Sequence, residues 1–125
     1  MPDLLKHADA FSGIATDDIA AARVFYADTL GLNVDEENGM LWLCLAGGRE
    51  ALVYPKPDHV PADYTVLNFR VSHIEAAVAE LSASGVEFER YDFVDEDAIN
   101  RCGGPYIAWF KDPAGNILSV LQERS

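Results

Sequence analysis

The sequence predicts an α+β domain of two βαβββ modules, its sheet mostly antiparallel, with a helix backing each module. Three observations carry this. The chain repeats itself: Gly13-Ile14-Ala15-Thr16-Asp17-Asp18-Ile19 opens one amphipathic segment, and Asn68-Phe69-Arg70-Val71-Ser72-His73-Ile74 opens another. Ile19 and Ile74 stand 55 residues apart, and the glycines closing the segments, Gly31 and Gly85, stand 54 apart. A fixed period of this size marks two copies of one supersecondary unit, too few for a solenoid. Next, short apolar runs follow each helical stretch, separated by turn signals such as Asn38-Gly39. Finally, three prolines between Pro55 and Pro61 divide the copies, because such a stretch is neither helix nor central strand.

The elements follow in order. Residues 1–9 read as a loose leader, and Phe11 to Ala15 as a short apolar strand. Thr16 or Asp17 is expected to cap the first helix, with Asp18 well placed for its dipole. Ile19, Ala22, Phe25, Tyr26 and Leu30 recur at helical spacing, and Gly31 is a natural left-handed stop. Strands are expected from Val34 to the Asn-Gly turn, from Met40 to Leu45, and from Ala51 to Tyr54. Module one thus spans about 11–54, a linker 55–64, and module two about 65–122. Thr65 to Val71 opens the second module as a strand. Ser72 and Glu75 have the spacing of a capping box before the stripe Ile74, Ala77, Val78 and Leu81. A strand over Val86 to Phe93, a polar loop holding Asp92, Asp95, Glu96 and Asp97, and a final hairpin across Asp112-Pro113-Ala114-Gly115-Asn116 complete it.

At 125 residues the chain is one domain, and half of those residues are apolar. Nine basic against 21 acidic residues give a formal charge of −12. That argues against nucleic acid, whose phosphates need basic side chains, disfavours anionic membranes, and mildly favours cationic ligands. Cys44 and Cys102 make no disulfide framework and suit a reducing, cytoplasmic setting. The opening residues Met1 to Lys6 lack the apolar core of a signal peptide. No apolar run approaches the roughly 20 residues that span a bilayer.

This element order, with Phe25-Tyr26 and Leu30-Gly31-Leu32 ending the first helix and Asp112-Pro113-Ala114-Gly115-Asn116 in the last turn, resembles the vicinal oxygen chelate superfamily. Glyoxalase I, extradiol dioxygenases and bleomycin-resistance proteins belong to it. The resemblance covers about residues 11–122. It implies that each module curls its sheet and that two modules enclose a cleft, within one chain or across a homodimer. Metal-using relatives hold a divalent ion there by His, Gln or Glu from the first and last strand of each module. Carried onto this chain, those positions are Phe11, Tyr54, Val66 and Ser119. Phe11 and Val66 offer no donor, a tyrosine phenol ionises only near pH 10, and a serine hydroxyl is a weak neutral ligand. No metal and no cofactor are therefore expected, and His7, His59 and His73 lack the spacing of a ligand pair.

A largely apolar cleft with few polar points is the expected alternative, lined by Phe11, Tyr54, Val66, Asn68, Arg70, Trp109 and Ser119. Trp42, Tyr106 and Phe110 are further aromatics for stacking or for the core. An inward Arg70 would need an anion, either a ligand carboxylate or Glu50 or Asp92. Catalytic residues are not identifiable: no nucleophile has a histidine at a recognisable spacing, and there is no G-x-S-x-G, phosphate loop or dinucleotide fingerprint. The leading expectation is a metal-independent homodimer that sequesters a small molecule, a cationic aromatic compound among the candidates. The alternatives are a lyase, isomerase or dioxygenase-like enzyme with a non-standard site, and a module whose cleft is filled by its own side chains.

Overall fold

Each module folds back so that its first and last strands lie side by side. In the computed structural model, which describes residues 3–124, module one contains β1 (Ser12–Thr16), β2 (Asn33–Glu37), β3 (Met40–Cys44) and β4 (Glu50–Pro55). The sheet order is β1-β4-β3-β2, with β1 parallel to β4 and the other pairs antiparallel. Module two contains β5 (Thr65–Arg70), β6 (Tyr106–Lys111) and β7 (Ile117–Gln122) in the order β5-β7-β6, with β5 parallel to β7. The 55-residue repeat is thus a structural one: β1 answers to β5, β3 to β6, and β4 to β7.

Several expectations are corrected here. The sheets are mixed and show no strong curl. The strand expected over Val86 to Phe93 does not form; that segment gives β6 a single bridge, Phe88 to Phe110, and Asn100 adds a second to Ile107. The cause is local. The Asp95 carboxylate accepts from the Asp97 and Ile99 amides at 2.9 Å each, and side-chain acceptors of this kind favour turns over ladders. Module two is therefore βαββ with a structured loop where β2 has its counterpart.

The first helix, α1 (Ile19–Arg23), continues as a wider π-helical stretch, Val24–Thr29. It ends with Leu30 N–H bonded to the Phe25 carbonyl and Gly31 at φ 76°. Its cap is Asp18, whose carboxylate accepts from Ala21 N–H, rather than Thr16 or Asp17. The second helix, α2 (Ile74–Ala83), has His73 at its N-cap with no side-chain cap bond, so the Ser72 capping box does not form. Instead the Ile74 N–H donates to Gln122 Oε1 at 2.8 Å, a tertiary cap from β7.

The core lies on the helix-facing side of both sheets. Ile14, Leu41, Leu43 and Val53 of the first sheet, Phe110, Leu118 and Val120 of the second, and Ala22, Tyr26 and Ile74 of the helices form one buried cluster. The halves are joined at the last turn. Tyr26 Oη donates to Asp112 Oδ2 at 2.6 Å, and Asn116 Nδ2 donates to the Ala15 carbonyl at 2.8 Å. Burial, then the Asp112 charge and the hydrogen bond to it, push the Tyr26 phenol well above the usual tyrosine range, so it stays a neutral donor.

Candidate functional site

Strand alternation sends the remaining side chains to the other face of each sheet. On the first sheet these are Gly13, Ala15, Trp42, Leu52 and Tyr54, with Phe11 just ahead of β1. Phe11 is 54% exposed and meets Trp42 edge to face, ring centroids 4.8 Å apart. Tyr54, 37% exposed, lies over Gly13, where an added Cβ would come within 3.3 Å of its ring. Gly13 thus leaves room for the Tyr54 ring, and the three aromatics form an accessible platform.

On the second sheet, Asn68, Ser119 and Trp109 form one row across β5, β7 and β6. Ser119 is fully buried, and its hydroxyl donates to Asn68 Oδ1 at 2.5 Å. Trp109 Nε1 donates to Thr65 Oγ1 at 3.2 Å. In the next row Arg70 is exposed and pairs at 2.8 Å with Glu123, not with Glu50 or Asp92. Val66 is the extra residue of a bulge between Thr65 and Leu67 and packs against the core.

The aromatic surface continues onto the loop before β6. Phe93 and Tyr91 both meet Trp109 nearly edge-on, at 5.4 and 5.6 Å, and stack on each other at 5.3 Å. Arg101 fixes this loop, bonding Asp95 Oδ2 at 2.6 Å and Glu75 Oε2 on α2 at 2.9 Å. The Arg101 guanidinium beside them holds both carboxyls below the usual carboxylate range. Tyr91, Phe93 and Thr65 were outside the sequence-predicted site. The signal was aromatic residues inside an acidic loop, which alternation alone had assigned to a strand.

The predicted residues therefore fall into three places. Phe11 and Tyr54 share the first sheet's open face. Asn68, Arg70, Ser119 and Trp109 lie on the second sheet's strands, with Ser119 and Asn68 bonded to each other. Val66 sits in the bulge.

The family model of the Glyoxalase/Bleomycin resistance protein/Dioxygenase superfamily matches residues 5–120. The chain belongs to this superfamily. Among solved structures, this superfamily member is similar to a glyoxalase family protein from Enterococcus faecalis, at 26% identity and TM-score 0.70, covering 94% of this chain and 99% of that one. It is likewise similar to a glyoxalase family protein from Bacillus anthracis (19%, TM-score 0.71, 99% and 100% covered). A third is TnmS3, an antibiotic binding protein from a Streptomyces species (21%, TM-score 0.68, 94% and 98% covered). No protein with a curated description matches it.

Glyoxalase chemistry uses a divalent ion, so the four positions expected from the sequence to correspond to its ligands bear on whether one fits. Phe11 and Val66 present hydrocarbon, Tyr54 a phenol, and the Ser119 hydroxyl is directed to Asn68. Such a set does not suit a divalent ion, which takes imidazole or carboxylate donors. Among the described residues, no group of three or more His, Cys, Asp or Glu is placed to hold one. Nor is any described helix long and apolar enough to cross a membrane.

Proposed function

We propose that this glyoxalase-superfamily protein is a metal-independent binder of a small organic molecule, a cationic aromatic compound held by stacking. The observation that carries the reading is the pair of aromatic platforms: Phe11 and Tyr54, at two of the expected ligand positions, with Trp42 on one open face, and Tyr91, Phe93 and Trp109 on the other. Aromatic faces attract cations, by roughly 0.5–2 kcal/mol per contact, and the net charge of −12 steers cations toward the protein. The structural likeness to an antibiotic binding protein supports the same direction. Exposed Phe11, Tyr54 and Phe93 further favour a homodimer, in which one chain's platform faces its partner's and closes the cleft.

The test is titration with proflavine, a planar cationic dye, read by tryptophan quenching and by calorimetry, with elemental analysis of the same sample. Saturable binding with the dye recovered unchanged, weakened in Tyr54→Ala at an unaltered melting temperature, is the expected result. Tight metal at one ion per chain, or turnover of added substrates that disappears on chelation, would replace sequestration by an enzymatic role.

A further inference from the structure

A recess lies on the helix-facing side of the second sheet, away from the aromatic platforms. It lies where the end of the first helix approaches α2, at the seam between the two modules, and offers about 170 Å³ of space that is partly open to solvent. Leu30 and Leu32 come from module one; Phe69, Ala77 and Leu81 line it from module two. Leu30 and Leu32 are also the residues whose amides close the wide π-helical winding, onto the carbonyls of Phe25 and Tyr26. The helix therefore ends as a splayed turn at the recess wall. Of the lining residues Glu80 alone is charged. It is exposed, and among the described residues it has no ion-pair partner.

We propose that this recess is a binding site for a small amphipathic ammonium, an aryl or alkyl group one ring in size carrying a primary amine. The size fits: about 150 Å³ of apolar space is enough to admit a benzene ring. The walls give the hydrocarbon part its environment, and an unpartnered carboxylate beside them selects the charge. Neither alcohol nor acid of the same shape meets both conditions. This site goes beyond the open-face reading and stands independently of it. Its occupant touches both modules, so it acts as a wedge that ties them together.

Isothermal titration with 2-phenylethylammonium chloride and with 2-phenylethanol tests the assignment. One saturable site per chain is expected, with the ammonium about threefold to fivefold tighter at low salt. The preference should shrink in roughly 0.5 M salt, where an exposed pair is screened. Glu80→Gln should erase the preference and leave the alcohol's affinity unchanged, and Ala77→Leu should abolish both. Tyr54→Ala should alter neither, which separates this site from the aromatic platforms. Absence of saturation, equal affinities for the two probes, unchanged binding in Ala77→Leu, or loss in Tyr54→Ala would each overturn the proposal. If the leucine variant melts early, Glu80→Gln decides alone: loss of preference supports the site, and retained preference overturns it.

Discussion

Tyr26 Oη donates to Asp112 Oδ2 at 2.6 Å across 86 residues of sequence, and both side chains are withdrawn from solvent. The same carboxylate accepts from the amides of Ala114 and Asn116 and from Asn116 Nδ2. Asn116 in turn holds the Ala15 carbonyl of β1. One aspartate thus builds the last hairpin turn and fastens it to the first module. Tyr26→Phe removes one of its donors while preserving shape, leaving a buried charge less well met. The expected loss is about 1.5–3 kcal/mol, the range for a hydrogen bond to a charged group, read as a lower urea midpoint with unchanged slope.

Much of this architecture was legible from turn chemistry. Asn38 and Gly39 both take positive φ, 54° and 76°, as the Asn-Gly hairpin signal requires. Gly31 and Gly85 end the two helices with φ of 76° and 102°. Such signals are local, so they survive without knowledge of the fold. The misreadings arose where a particular side-chain partner, near or distant in sequence, decides. Gln122 caps α2 from another strand, and Asp95 with Arg101 turns an alternating segment into a loop. Likewise the two platforms appear only once the sheet faces are known. Alternation separated the core from the open face in β1 and β4, but the bulge at Val66 broke that rule in β5.

The tertiary cap makes a direct contrast. Gln122→Ala deprives the Ile74 amide of its acceptor and should lower stability by about 0.5–2 kcal/mol, as loss of a helix cap does. Ser72→Ala removes the hydroxyl of a capping box that does not form, and should stay within roughly 0.5 kcal/mol of the parent. Equal effects in urea melts would return the cap to Ser72.

Gly115 sits at φ 86° in the Asp112–Asn116 turn, and a Cβ there would come within 3.1 Å of Pro61 Cγ in the linker. Gly115→Ala should combine left-handed strain of roughly 1–2 kcal/mol with displacement of the linker. Gly31→Ala shares the positive φ, 76°, but meets nothing within 4 Å. Thermal melts should therefore rank Gly115→Ala as the more damaging of the two, and the difference measures how tightly the linker is seated.

The Arg101 clamp makes the aromatic loop sensitive to acid. Hydrogen bonds from Arg101 depress the pKa of both Asp95 and Glu75, so each is more acidic in the folded loop than in the unfolded chain. Their contribution is present above the unfolded carboxylate range, near pH 4, and is lost as pH falls through the lower folded values. Protonation of Asp95 also withdraws the acceptor that shapes the turn at Asp97 and Ile99. Because Tyr91 and Phe93 reach Trp109 from this loop, its release should change Trp109 emission. In a Trp42→Phe background, emission should hold steady from pH 7 to about pH 4 and shift to longer wavelength below it. Arg101→Ala should show the shifted emission already at neutral pH and flatten the acid transition. A transition of the same size in the variant would mean that aromatic packing, rather than the ion pairs, holds the loop.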